Sequence, residues 1–378
     1  MKKVGIITIN DYRNYGNRLQ NYAVQEVIKS LGFEAETIIN TYKVSRIDRL
    51  RNIENKSLLY IINKILHKIK NKLNRDNKKY TILNNKRVKS FKKFTNQYIK
   101  ETNFEINQNN IPEDLSEKYD FFIVGSDQVW NPHFRKNSPI DFLTFAPSNK
   151  RIAYAASFGI SELPREFIED YKDRLSQMAY ISVREDAGAK IVKDLIGREV
   201  PVLIDPTLML NKEEWFSIMK QAKNKPQVPY LLTYFLGEIS FENKKWIYSF
   251  AKENNLEIVN LADIKDEERY LADPAEFLDY INSSEVLFTD SFHGAIFSIL
   301  FEKPFIVFNR ISTTQSMNSR IDTLLSKFNL ESRRWDNIKN TNDILSIDFA
   351  HVQKILKAER EKALKYLKNA LDITKDRK

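Results

Sequence analysis

At 378 residues the chain is longer than one compact domain of roughly 100 to 200 residues, and its 42% hydrophobic and 12% aromatic content is enough to build packed cores. Two globular domains are expected, and a disordered or fibrous chain is excluded. The absence of cysteine removes disulfides, thiolate nucleophiles and Cys-ligated metal clusters, while 60 Lys and Arg against 50 Asp and Glu leave a net +10 that calls for an anionic partner.

Along the chain, residues 4–9 form an apolar, β-branched run, followed by a polar turn at 10–16 and a helical pattern through Leu19, Ala23, Val27 and Leu31 that Gly32 closes. Residues 34–39 return as a strand, so the chain opens on a β-α-β unit. Residues 43–93 hold seventeen Lys and Arg against Asp48, Glu54 and Asp76, a local +14 that leaves the rest of the chain at −4. The basicity is therefore local, and nucleic acid is not the expected partner. Within that segment Leu58, Ile61, Ile62, Ile65, Leu66, Ile69 and Leu73 recur at helical spacing, with Lys64, Lys68, Lys70 and Lys72 between them. Such a basic amphipathic helix either packs on its own domain with a solvated lysine face or, over residues 56–93, touches an anionic membrane.

Short apolar strands follow at 121–124, 151–157, 181–184 and 202–204, with helical stretches at 165–177 and 187–195 between them. Residues 223–229, with two prolines among polar residues, read as a linker. The alternation then restarts: strands at 230–235, 257–261, 286–289 and 305–308, helices at 241–253, 274–281 and 294–301. The pattern predicts an α/β chain of two doubly wound, Rossmann-like domains at 1–222 and 230–348. A last helix within 349–378 is expected to pack across both, and ligands are expected in a cleft beyond the carboxyl ends of the strands.

The nine glycines leave no G-x-G-x-x-G, Walker or G-x-S-x-G spacing, so dinucleotide oxidoreductases, P-loop NTPases and typical serine hydrolases are not expected. His67, His133, His293 and His351 are too far apart for a zinc helix, and no metal is expected. The apolar run at 4–9 is short for a signal peptide, and no stretch reaches the ~18 apolar residues of a membrane span, so a cytoplasmic location is expected.

Polar groups cluster where the predicted strands end: Asn14, Tyr15, Gly16, Asn17 and Gln20; Gly125, Ser126, Asp127, Gln128 and Trp130; Ser157; Arg184 and Glu185; Asp205 to Thr207; and Asp290, Ser291, His293 and Gly294. Strand-to-helix turns of this kind present backbone N–H groups to anions. Taken singly, each is more often a helix cap than a ligand contact, Asp290 or Ser291 capping the helix near His293 being an instance.

Taken together, "NYGNRLQNYAVQEVIKSLG", "YDFFIVGSDQVWNP", "KRIAYAASFG", "ISVREDAGAKIVKDLIG", "PVLIDPTLML" and "VLFTDSFHGAIFSILFEKPFIVF" resemble the polysaccharide pyruvyltransferase family, over residues 4 to about 330. The resemblance implies a fold like that of GT-B glycosyltransferases, with phosphoenolpyruvate as co-substrate, no cofactor, and a sugar of a cell-surface (capsule or exopolysaccharide) precursor as acceptor. Such acceptors are often lipid-linked at the inner face of the membrane. It makes His293 the catalytic acid and base, since an imidazole gives and takes protons near neutral pH.

Donor binding falls to Arg184 and Arg320, which can pair with carboxylate and phosphate, together with Ser291, Gly294 and Lys303. Asn14, Tyr15, Asn17, Gln20, Ser126, Asp127, Gln128, Trp130, Ser157 and Asp290 are expected to line the cleft or meet the acceptor. Many family members carry R-x-H where this chain has Ser291-Phe292-His293, so Arg320 or Lys303 is expected to supply the missing charge. The alternatives are a GT-B glycosyltransferase using a nucleotide sugar and a non-catalytic binding protein of the same fold.

Overall fold

The computed structural model describes residues 1–41, 75–135, 137–261, 263–310 and 319–373. The apolar and lysine positions of the basic amphipathic pattern, 58–73, lie outside them. The first domain is built on a six-stranded sheet of order β3-β2-β1-β4-β5-β6, with every pair parallel. Its strands are β1 (Lys3–Ile7), β2 (Glu34–Asn40), β3 (Glu101–Ile106), β4 (Phe121–Val124), β5 (Arg151–Ala156) and β6 (Tyr180–Val183). The second sheet, also all parallel, has the order β10-β9-β7-β8, from β7 (Tyr230–Tyr234), β8 (Glu257–Asn260), β9 (Val286–Thr289) and β10 (Phe305–Val307). Central strands of such sheets are covered on both faces, which is why Val4, Ile6 and Ile7 of β1 and all of β9 are buried.

One expectation fails at an edge of the first sheet, and one edge strand is additional to those expected. Residues 202–204 make only an isolated bridge, Val183 to Val202, because the chain turns into the Asp205-Pro206-Thr207 corner. Strand β3, whose polar sequence ETNFEI has little apolar signal, forms because β2 offers it an open edge.

Helix α1 (Tyr15–Ser30) joins the two domains. Asn14 caps it, its side chain accepting from Asn17 N, and thirteen of its sixteen residues are buried. Tyr15 stacks on Phe277 with ring centroids 4.3 Å apart, and one apolar core runs from Val4 of the first sheet to Val307 of the second. Helix α2 (Arg75–Tyr98) turns Leu83, Phe91 and Phe94 inward and leaves Lys89, Lys92 and Lys93 outside. Next come α3 (Ile168–Ser176), α4 (Asp186–Ile196), α5 (Lys212–Ile218), α6 (Phe241–Glu253) and α7 (Pro274–Ser283). Helix α8 (Phe292–Phe301), apolar all round, is buried along its whole length, as such helices are. After α9 (Ser319–Lys327), α10 (Ala350–Ala370) returns to the first domain, where Arg360 donates to Leu208 O and Leu210 O and the Tyr366 hydroxyl donates to Ala153 O.

Candidate active site

The strand order reverses beside β1 and β4 in the first sheet, and beside β7 and β9 in the second. A parallel sheet leaves a crevice at such a point, and here the two crevices face one another across a cavity of about 430 Å³. Its walls come from Ile9 and Asp11 after β1, Asn14 and Asn17 at the start of α1, Asp127 and Gln128 after β4, Leu236 after β7, Ser291 to His293 after β9, and Arg310 after β10. Arg320 of α9 closes one side, and Phe134 and Arg135 another.

His293 sits in the first turn of α8, beside α1. A Cβ on Gly16 would fall 2.1 Å from its Nδ1, so only glycine fits there. On the other side His293 Nε2 lies 3.6 Å from Asp205 Oδ2, within ion-pair range and beyond a hydrogen bond. Asp205 is fully buried and well partnered: Oδ2 accepts from Ser126 Oγ and Arg184 Nη1, both at 2.7 Å, and Oδ1 accepts from Thr207 N and Oγ1. Burial opposes its charge, and His293 and Arg184 outweigh burial, holding its carboxyl well below the usual carboxylate range. Burial likewise opposes the charge of Asp127, and Arg184, His293 and the Asn17 amide overcome it. The imidazole thus faces a buried carboxylate on one side and the cavity on the other.

The cations differ in what already satisfies them. Arg184 is tied to Asp205 and lies over the Phe292 ring, 4.3 Å from its centroid. Arg135 is bidentate to Asp141, and Arg310 donates to the carboxylate and backbone oxygen of Asp290. Arg320 has a neutral partner instead. With the Gln128 amide oriented by its hydrogen-bond network, the carbonyl oxygen accepts from Arg320 Nη1 and Nη2 at 3.1 and 3.2 Å. Burial and the neighbouring Arg184 push the Arg320 pKa down to about 9, which leaves it charged at neutral pH and in want of an anion.

Of the predicted site residues, the cavity brings together His293, Ser291, Arg320, Asn14, Asn17, Asp127 and Gln128. Others lie behind it. Arg184 stands in the second rank, buttressing Asp205, and Ser126 and Gln20 connect there, Ser126 N donating to Gln20 Oε1. Ser157 donates to the buried Glu185 carboxylate. Asp290 holds the β7 loop and Arg310 rather than lining the cavity. Tyr15 and Trp130 are core residues, their polar tips satisfied by Ala272 O and Asp141 O. Gly294 donates its N–H to the Ser291 cap, and a Cβ there would meet Thr289 Oγ1 at 2.9 Å. Lys303 lies just past the far end of α8, about 15 Å along the helix from His293 at 1.5 Å per residue, so it cannot replace the missing arginine.

Asp11, Arg135 and Arg310 of the cavity wall are not among the expected site residues, and Asp205, noted only as a strand-end carboxylate, lies behind it against His293. Arg310 follows the last strand of the second sheet, and its strand-end position in "FIVFNR" was the available signal.

A family model described as polysaccharide pyruvyl transferase matches residues 14–312. No curated protein matches the chain. Among solved structures, a putative UDP-N-acetylglucosamine 2-epimerase from Listeria monocytogenes superimposes with a TM-score of 0.53 at 10% identity, over 99% of this chain and 97% of that one. S. aureus MnaA with UDP gives 0.48 at 12% identity, covering 100% of this chain and 99% of that one. E. coli ADP-heptose LPS heptosyltransferase II gives 0.34 at 12%, covering 96% and 99%. The likeness is one of fold: two Rossmann-like domains in the GT-B arrangement.

Proposed function

The chain belongs to the polysaccharide pyruvyl transferase family and is a transferase; from that premise we propose that it moves a pyruvyl unit from phosphoenolpyruvate onto two hydroxyls of a saccharide, forming a ketal. The observation that carries this reading is a buried imidazole, His293, set against Asp205 in a cavity whose wall holds Arg320, a cation paired with no carboxylate among the described residues. Phosphoenolpyruvate brings a carboxylate and a phosphate, and a planar guanidinium binds either through two hydrogen bonds. Arg320 takes one of them. Arg310, though paired with Asp290, lines the same cavity as Ser291, where R-x-H would place its arginine.

The chemistry needs two hydroxyls to add at C2. The first adds as C3 is protonated, so the double bond becomes a methyl group and a new C–O bond. The second displaces phosphate, whose departing oxygen keeps the bonding pair, and its proton leaves with that phosphate. His293 delivers the proton to C3 and recovers one from the attacking hydroxyl, with Asp205 stabilising the imidazolium between the steps. The acceptor belongs to a cell-surface polysaccharide precursor, and the +14 segment at 43–93 rests on anionic lipid near a lipid-linked form of it.

Incubating the protein with phosphoenolpyruvate and a saccharide panel is expected to release phosphate only when an acceptor is present, and to add one pyruvyl ketal by mass. His293→Ala is expected to lower that rate at least ~10²-fold with the circular dichroism unchanged. Consumption of a UDP- or CDP-sugar with phosphoenolpyruvate inert would sink the reading and make the chain a glycosyltransferase.

A further inference from the structure

A second cavity, of about 660 Å³, lies in the second domain at the carboxyl ends of β7 and β8, beside α6. Its size falls within the ~300–1,000 Å³ of ligand pockets, and its position is the one at which parallel sheets bind ligands. The two cavities share a loop. Leu236 lines the first, while its neighbours Phe235, Gly237 and Glu238 line the second. Asp290 holds this loop, accepting from Leu236 N at 2.7 Å and Gly237 N at 2.8 Å, and Asp290 itself leads into Ser291 and His293. The exposed side chain of Leu236 is thus the sill between a reaction site and a larger chamber.

We propose that this chamber is a saccharide subsite, holding sugars of the acceptor chain beyond the one that reacts. Tyr248, on the α6 side of the chamber, is 66% exposed, an aromatic face with no core to pack on. The apolar C–H face of a pyranose covers such a ring, and the phenol edge stays wet. Around it Lys244 and Lys265 are balanced by Glu238 and Asp263. That balance disfavours a diphosphate, which needs an excess of cations, and suits a neutral, hydroxyl-rich ligand whose oxygens accept from ammonium groups and whose O–H groups donate to carboxylates. An acceptor with its reacting sugar beside His293 then crosses Leu236 and seats its next units against Tyr248. This rests on the proposed transfer only for the direction of the chain, so its test is one of binding.

The full-length protein, without phosphoenolpyruvate, is screened on an array of short neutral hexose and N-acetylhexosamine oligosaccharides, and the hits are titrated by calorimetry against UDP and inorganic pyrophosphate. Tyr248→Ala is expected to weaken the oligosaccharide by about tenfold, the loss of one stacked contact, while Tyr248→Phe keeps it and neither changes the melting temperature. In turnover, Tyr248→Ala raises acceptor KM and leaves kcat and the donor KM in place. Equal affinity in Tyr248→Ala, no oligosaccharide bound on the whole array, or Tyr248-dependent binding of UDP or pyrophosphate in place of sugars overturns the proposal. Oligosaccharide binding that depends on Tyr248 while phosphoenolpyruvate is inert leaves the subsite standing and removes the transfer reading alone.

Discussion

Gly16, the second residue of α1, offers the sharpest test of His293, because the change touches the imidazole without replacing it. In Gly16→Ala the new methyl would lie 2.1 Å from His293 Nδ1 and 2.3 Å from Cγ. Ordinary contact begins at 3.4 Å, a shortfall of about 1.3 Å that either the ring or the helix must absorb. The helix is held firmly. Tyr15 is stacked on Phe277, its hydroxyl donates to Ala272 O and accepts from Arg87, and Asn17 bonds to Asp127. The ring is held less firmly, since its Nε2 makes no hydrogen bond among the described residues. Because His293 Cβ would also lie 2.7 Å from the new methyl, the ring moves together with a small shift at the start of α8. A displacement of about 1 Å at a reacting group costs on the order of 10²-fold in rate. The fold changes little: alanine gains up to about 1 kcal/mol of helix propensity against ~1–3 kcal/mol of overpacking, a few degrees of melting temperature at most. Acceptor-dependent phosphate release, measured beside the melting temperature, is the assay. Wild-type turnover in Gly16→Ala, or a loss of turnover explained wholly by unfolding, refutes the placement of chemistry at His293.

Arg320→Gln is expected to raise the donor KM by roughly 10- to 10²-fold, the worth of a charge-assisted hydrogen bond, without lowering the melting temperature, because burial already disfavours that charge. Arg184→Met is expected to behave oppositely, leaving Asp205 buried without its guanidinium at a cost of about 3–5 kcal/mol, seen as lost stability in urea. The pH dependence follows from Asp205. Its folded pKa lies below the unfolded value of ~3.9, so its stabilisation is complete above about pH 5 and is lost as the pH falls further; Asp205→Asn is expected to flatten that acid limb of the denaturation profile. Changing Lys64, Lys68, Lys70 and Lys72 to Glu is expected to weaken co-sedimentation with anionic vesicles and spare neutral ones. If the wild-type protein ignores anionic vesicles, the membrane contact is refuted.

Much of the fold is written locally. The β-branched runs give the central strands, Asn14 and Ser291 announce the caps of the two helices that meet at the cavity, and the apolar α8 sequence can only be a buried helix. The edge strand β3 is not legible, because a polar segment pairs there only once β2 exists to receive it. The site divides along the same line. His293 and Asn17 are legible as polar residues in family segments at strand ends and Arg320 only as a candidate cation, whereas Trp130 and Tyr15 share that neighbourhood and turn into the core. Which way a side chain leaves a strand-to-helix turn depends on the path of a few irregular residues, and sequence period does not encode that.

Tertiary structure alone joins Asp205, more than eighty residues upstream, to His293, and it alone brings Arg310 to the wall where Ser291 left a charge wanting. By itself the sequence determined the α/β alternation and the transferase family, and it set His293 at a strand end. The packing of α1 against both sheets decided which cations face that histidine, because contacts between distant segments are set by the shape of the shared core and not by either segment alone.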